Sequence, residues 1–260
     1  MSDFVLKSGV TSTGLVTRPG FYGKLPSLGD FVSRRLDTAF IDAWDRWLDA
    51  AIKRSREQLG DAWISAYQVC PVWRFVLGPG LAGATSFAGV MMPSIDRVGR
   101  HFPLALAAPI PDEVAPTRLP MEAEFWFDRL QALALTALED GFDKAAFERQ
   151  LDGLALDLPL EDVLDRSGGG IGAGWRLHLK PDHHPAAGYP ALLDALLRSV
   201  ASHYSLWWVM PPAGGEAALL VCAGLPPVDG FSALLDGQWV RWGWSVPTPR
   251  PFPTAGGGLP

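Results

Sequence analysis

The segment of residues 38–59 places the strongest constraint on the fold. Its large apolar side chains recur at helical spacing, and they are Phe40, Ile41, Trp44, Trp47, Leu48, Ala51, Ile52 and Leu59. Such a stripe predicts an amphipathic helix that buries one face. Asp37 can cap its start and Gly60 can end it. A helix of this kind needs an apolar surface to pack against, and the rest of the chain must supply it.

Three short apolar runs after this helix are suited to forming that surface. Residues 72–77, 85–92 and 102–109 are apolar or β-rich and end at Gly or Pro, which predicts strands. The continuous run at 102–109 predicts a strand buried on both faces. Residues 20–36, which carry several glycines and a proline, predict a short strand and a turn.

The second half of the chain continues this mixture. We predict helices over residues 122–139, 144–151, 160–166, 189–204 and 231–237, and strands over 175–180, 205–210, 217–224 and 238–244. Trp207 and Trp208 are neighbours on one strand, so they should point to opposite faces and both fill core. The pattern predicts an α/β fold, with α+β as the alternative, built as a mixed, largely antiparallel sheet flanked by helices.

The predicted organisation is one compact domain over residues 19–246. Residues 1–18 are expected to be a flexible lead-in, and the Pro- and Gly-rich residues 247–260 a flexible tail. A chain of 260 residues can bury a large core as a single unit.

Composition narrows the classes of function. The net charge of −6 and pI near 5.3 argue against a broad basic face for nucleic acid. The sequence has neither a signal peptide pattern nor an apolar run of about 18 residues, so we expect a cytoplasmic protein without membrane insertion. Cys70 and Cys222 lie in apolar runs and are expected to be reduced thiols.

Two motifs that suggest cofactors have simpler interpretations. The glycines of residues 168–174 follow a predicted helix and precede a predicted strand, the reverse of a dinucleotide-binding loop. His183 and His184 have no further ligand at metal spacing, so an exposed turn is the expected structure. We therefore expect no cofactor and no metal.

The charged cluster in "MMPSIDRVGRHFPL", residues 91–104, is the remaining candidate for function. Asp96 and Arg100 are spaced to pair as i,i+4, and in a loop Arg100 can also bind backbone carbonyls. The cluster is either a structural clasp or a partner-binding corner. A hydrolase or nucleotide-dependent enzyme using Ser94, Asp96 and His101 is the alternative, although no G-x-S-x-G motif presents the serine.

Four segments carry a family resemblance. "GFYGKLPSLGDFVSRRL", "WDRWL", "PVWRFVLGPG" and "GVMMPSIDRVGRHFPL" resemble the TagF family, also called ImpM, which is associated with bacterial type VI secretion. The resemblance implies a cytoplasmic, non-enzymatic accessory protein. It would be a posttranslational negative regulator that binds a forkhead-associated scaffold protein. The matched polar positions become candidates for partner binding: Lys24, Asp30, Arg34, Ser94, Asp96, Arg97, Arg100 and His101.

The basic members of this set suggest a more specific hypothesis. Lys24, Arg34, Arg35, Arg97 and Arg100 come from two segments that could form one positive corner for an acidic or phosphorylated partner. The competing interpretation is that Asp30 and Asp96 neutralise these cations internally. A structural component of the secretion tube is a further alternative function.

Overall fold

The fold is built on a seven-stranded sheet in the order β3-β2-β6-β5-β4-β8-β9, in which every pairing is antiparallel. The computed structural model describes residues 15–158, 184–210 and 217–245. The strands are β1 Leu15–Thr17, β2 Gly20–Lys24, β3 Phe31–Arg34, β4 Trp73–Leu77, β5 Ser86–Met92, β6 Leu104–Ile110, β7 Leu156–Leu158, β8 Tyr204–Val209 and β9 Ala218–Ala223. The short strands β1 and β7 pair with each other as a separate two-stranded sheet.

Helices cover both faces of the large sheet. They are α1 Thr38–Leu59, α2 Trp63–Val69, α3 Leu119–Glu122, α4 Glu124–Thr136, α5 Lys144–Asp152, α6 Tyr189–Val200 and α7 Ser232–Asp236. The apolar side chains of α1, α2 and α7 join one core, and those of α4 and α5 join the other. The α+β alternative, with helices on an antiparallel sheet, therefore describes the architecture.

Stacked aromatic rings fill the core beneath α1. Trp44 is fully buried, with its ring centroid 5.4 Å from that of Phe40, 4.9 Å from Phe75 and 5.9 Å from Trp207. Burial of one aromatic side chain of this size contributes about 4–6 kcal/mol by area. The apolar stripe of α1 is thus matched by aromatic positions on the sheet.

The opposite core joins α4 and α5 to the other face of the sheet. The Phe127 ring lies edge-on to Trp208 at 4.7 Å, and Phe147 of α5 lies edge-on to Phe21 of β2 at 5.7 Å. Trp207 and Trp208 therefore serve different cores, as predicted from their adjacency on a strand.

Several predicted elements are confirmed. Helix α1 spans the predicted residues 38–59, and the Asp37 carboxylate accepts a hydrogen bond from the Phe40 N–H at 2.8 Å. The three predicted strands form β4, β5 and β6, and β6 is buried along nearly its whole length. Cys70 and Cys222 are free thiols, and burial raises the pKa of Cys222 to about 12.

The strand predicted at residues 238–244 is wrong. These residues form a 3₁₀ turn, Val240–Trp242, between Gly237 and Gly243. Both glycines adopt left-handed backbone, with φ of 72° and 80°, which turns the chain where a strand would stay extended. The tryptophans on either side of this turn pack against each other, with Trp239 edge-on to Trp244 at 5.7 Å.

Other boundaries differ from the predictions. The helix predicted over 122–139 is interrupted at Ala123, which has non-helical backbone, and the regular part is α4. The helix predicted over 189–204 ends at Val200, because Ala201 is extended and leads into β8. Leu15–Thr17, at the end of the predicted lead-in, forms β1 through pairing with the distant β7.

Some predictions fall outside the described residues. They are residues 1–14 of the lead-in, the helix at 160–166, the glycine segment 168–174, the strand at 175–180, residue His183 and the tail 247–260. Among the helices of the described part of the chain, none combines the length and apolar character needed to cross a bilayer.

Candidate functional site

All the candidate residues except Arg34 lie where two loops meet at one end of the sheet. We call residues 25–30, between β2 and β3, the turn, and residues 93–103, between β5 and β6, the clasp loop. Because β2 and β6 are neighbouring strands, with Tyr22 opposite Ala105, the end of β2 lies beside the start of β6. The clasp loop is itself a hairpin, since Asp96 N–H bonds Arg100 O at 3.0 Å and Phe102 N–H bonds Ser94 O at 3.0 Å.

Asp96 is the electrostatic centre of the site and is only 1% exposed. Its carboxylate lies 3.0 Å from Lys24 Nζ and 2.6 Å from Arg100 Nε, and it also accepts hydrogen bonds from the N–H groups of Val98 and Arg100. Burial acts to raise the pKa of this carboxyl. The hydrogen bonds from Arg100, Lys24 and Val98 outweigh it and hold the pKa below its ordinary value. Asp96 is therefore a fully paired, ionised residue.

Three further bonds attach the clasp loop to the turn and to the end of β2. Arg100 Nη2 donates to Gly29 O at 2.7 Å, Arg97 N–H donates to Leu28 O at 2.9 Å, and Ser94 Oγ donates to Lys24 O at 2.7 Å. All three acceptors are backbone carbonyls. The expected pairing of Arg100 with Asp96 and with backbone carbonyls is thus confirmed, and both kinds of contact occur together.

Helix α2 fixes the inner side of the clasp loop. The Tyr67 hydroxyl donates to Ser94 O at 2.9 Å and accepts from Ser94 N–H at 3.1 Å. Trp63 stacks on Tyr67, and the His101 ring lies edge-on to both at 5.2 Å. Burial, followed by the nearby charges of Arg56 and Lys24, lowers the pKa of His101. Tyr67 and Trp63 were not predicted, because nothing in a local pattern links α2 to a loop some thirty residues away.

The contacts of Ser94, Asp96 and His101 do not form a catalytic chain. Ser94 donates to a backbone carbonyl, Asp96 is occupied by two cations, and His101 packs on aromatic rings. A nucleophile needs a hydrogen-bonded base, and that base needs an orienting group. In the part of the chain that the structure describes, no hydrogen bond connects these three side chains in that order.

The predicted positive corner needs correction. Arg34 lies 3.1 Å from the Asp152 carboxylate and 3.4 Å from that of Glu148, both on α5, and Arg35 lies 2.5 Å from Asp152. These two arginines are therefore neutralised by a helix, whose place in the fold the sequence pattern does not reveal. Asp30 accepts a hydrogen bond from the neighbouring Phe31 N–H at 2.8 Å and forms no ion pair with any described arginine.

The outer surface of the clasp loop is chemically distinct from its bonded interior. Val98 is 68% exposed, Ile95 is 36% exposed, and Phe31 of the neighbouring β3 is 42% exposed. Arg97 is exposed too, and its guanidinium has no carboxylate partner among the described residues. The site thus presents apolar and cationic groups on a loop whose backbone is fixed by buried bonds.

The described residues show no metal cluster at this site. No group of three or more potential His, Cys, Asp or Glu ligands is assembled in the described ranges. A cleft of about 220 Å³ lies between α4 and β7 and is lined by residues such as Phe125, Arg129 and Leu156. None of the candidate site residues lines this cleft.

Comparison with known proteins identifies a family and a similar solved structure. The family profile described as "TagF N-terminal domain, Type VI secretion system-associated" matches residues 20–154. The crystal structure of PA0076 from Pseudomonas aeruginosa PAO1 is 35% identical with a TM-score of 0.73, and the match covers 90% of this chain and 100% of that chain. No curated protein matches the chain.

Proposed function

The chain belongs to the TagF family of type VI secretion-associated proteins, and we propose that it is a posttranslational negative regulator of that machinery. It acts by binding a forkhead-associated scaffold protein in the cytoplasm and catalyses no reaction. The residues that we assign to this contact are those of the outer clasp loop, with Arg97 and Val98 at its centre.

The main support for this proposal is that the clasp loop combines a fixed backbone with an exposed surface. Asp96, Ser94 and Tyr67 hold the loop from inside, whereas Val98 and Arg97 face outward. A loop that is already ordered loses little conformational entropy when it binds, so more of the contact energy remains as affinity. Exposed apolar side chains beside arginine are also typical of protein interfaces.

The same contacts weigh against the enzyme alternative. The Ser94 hydroxyl and the Asp96 carboxylate, which a hydrolase would need, already have structural partners, and the His101 ring packs against Tyr67. Freeing the Asp96 carboxylate for chemistry would leave Lys24, which is 6% exposed, as an unpaired buried cation. The cluster thus supports a surface for binding and not a centre for turnover.

The test is scaffold affinity of a Val98→Asp variant, measured by titration calorimetry with purified proteins. A charge placed at the centre of an apolar contact should weaken binding by at least about tenfold, the equivalent of about 1.4 kcal/mol. Val240→Asp is the matched control, because Val240 is 76% exposed and lies on the distant 3₁₀ turn. Its affinity should stay unchanged.

A secretion assay in cells tests the direction of regulation. Overproduction of the native chain should reduce type VI secretion, Val240→Asp should do the same, and Val98→Asp should not. Scaffold affinity that is equal for all three proteins would contradict the proposal.

A further inference from the structure

Two guanidinium groups meet at Gly29, the residue of the turn nearest to the clasp loop. Arg100 Nη2 donates to Gly29 O at 2.7 Å. The Arg97 Nη2 atom would lie 3.5 Å from a Cβ atom placed on Gly29, and no other atom beyond Gly29 and its two chain neighbours lies within 4 Å of that position. Gly29 therefore leaves a space beside the Arg97 guanidinium, and the Arg100 guanidinium lies at the carbonyl of the same residue.

The donors facing this space are mostly unused. Arg100 donates its Nε–H to Asp96 and one Nη2 proton to Gly29 O, which leaves the Nη1 protons free. Arg97 spends none of its side-chain donors on a described residue. A guanidinium carries five N–H donors, so the pair retains several that can converge on one acceptor group.

The local charge favours an anion, although the whole chain carries a net charge of −6. Lys24 and Arg100 share the buried carboxylate of Asp96, and Arg97 adds a third positive charge in the same loop. Asp30 is the one exposed carboxylate of the turn, and it bonds its neighbouring N–H.

We propose that Arg97, Arg100 and the space over Gly29 form an oxyanion site, which receives a phosphoryl or carboxylate group of the bound protein. The identity of that protein rests on the proposed function, but the site itself does not. Two guanidinium groups that approach from different residues suit a group with several terminal oxygens, so phosphate should bind more tightly than acetate.

Anion titration of the isolated protein tests the site directly. Nitrogen-15 NMR can follow the Arg97 and Arg100 Nε–H signals while sodium phosphate, or sodium acetate, replaces sodium chloride at constant ionic strength. We expect a saturable shift of both signals with phosphate and a weaker one with acetate. Arg97→Ala should reduce phosphate affinity by at least about fivefold, within the range of one charge-assisted contact.

Substitution at Gly29 fills the site without removing either arginine. Gly29→Asp places a carboxylate beside the Arg97 guanidinium and should abolish the phosphate-dependent shift. Gly29→Asn fills the same space without the charge, so it should weaken the shift less than Gly29→Asp does. Arg34→Ala should retain the shift, because Arg34 is turned towards α5. Absence of saturation in the native protein, or equal titrations for Arg97→Ala and Arg34→Ala, would overturn the proposal.

Scaffold binding separates this site from the proposed function. If phosphate binds at Arg97 but neither Val98→Asp nor Gly29→Asp alters scaffold affinity, the site stands and the proposed function fails. If Val98→Asp alone abolishes scaffold binding and phosphate does not bind, the oxyanion site fails. If phosphatase treatment of the scaffold lowers its affinity for this protein, the group that the site binds is a phosphoryl group of the scaffold. If the affinity is retained, that group is a carboxylate.

Discussion

Tyr67→Phe removes a single oxygen atom that ties α2 to the clasp loop. That hydroxyl donates to Ser94 O and accepts from Ser94 N–H, so its loss leaves both backbone groups without this partner. The carbonyl keeps a second hydrogen bond, from Phe102 N–H at 3.0 Å. The N–H has no such replacement at a residue that is 2% exposed. The substitution therefore creates one buried, unsatisfied donor.

The expected magnitude follows from that count. A buried donor left without its partner costs about 1–3 kcal/mol, and we expect the free energy of unfolding to fall by about 2 kcal/mol. For a domain of this size the melting temperature should fall by about 4–8 °C. Phenylalanine keeps the ring, so the stack of Tyr67 on Trp63 and the contact with His101 should persist.

Urea unfolding measures the global effect, and amide hydrogen exchange measures the local one. Exchange at Asp96 and Phe102, whose N–H groups close the clasp hairpin, should accelerate. Tyr189→Phe is the matched control, because Tyr189 is 65% exposed and its change should stay within about 0.5 kcal/mol. Native stability and native exchange in Tyr67→Phe would refute the argument that this hydroxyl holds the loop.

Three further outcomes can be checked by urea unfolding. The pKa of Asp96 in the folded protein lies below its value of about 3.9 in the unfolded chain. The ionised carboxylate therefore contributes to stability above that pH, and this contribution is lost as the pH falls through the folded pKa. The difference in unfolding midpoint between the native protein and Asp96→Asn should thus be constant at neutral pH and should become smaller below about pH 4. A difference that stays constant at acid pH would contradict this pairing. Gly89→Ala should lower the free energy of unfolding by about 1–3 kcal/mol or more, because its Cβ would collide with Leu106 O across the sheet. Gly29→Ala is the control and should leave the free energy of unfolding nearly unchanged. Equal stabilities of the two variants would show that the sheet relaxes around the new methyl group. Asp37→Ala removes the cap of α1 and should cost about 1 kcal/mol, and an unchanged midpoint would show that the cap contributes nothing.

The sequence predicts those elements whose signals are local. The limits of α1 follow from an apolar stripe flanked by a capping aspartate and a terminal glycine, both adjacent in the chain. The strand order, the pairing of β1 with β7 and the use of both sheet faces depend on contacts between distant segments. At residues 238–244 a strand is predicted, but the left-handed glycines Gly237 and Gly243 turn the chain instead.

The candidate site divides in the same way. Asp96 and Arg100 are four residues apart, and their ion pair is confirmed. The pairing of Lys24 with the same carboxylate, and of Arg34 and Arg35 with Asp152, joins segments separated by about 70 to 120 residues. Spacing alone carries no information on such contacts, so the sequence places five cations in one corner, whereas the fold pairs Arg34 and Arg35 with α5.

The attachment of the clasp loop to main-chain oxygens has an evolutionary consequence. Ser94, Arg97 and Arg100 donate hydrogen bonds to the backbone carbonyls of Lys24, Leu28 and Gly29. A backbone carbonyl is present in every residue type. The exposed positions of the turn, Ser27 among them, are therefore free to drift without detaching the loop. Substitutions at these positions would change the surface of the turn, while the framework beneath would stay the same.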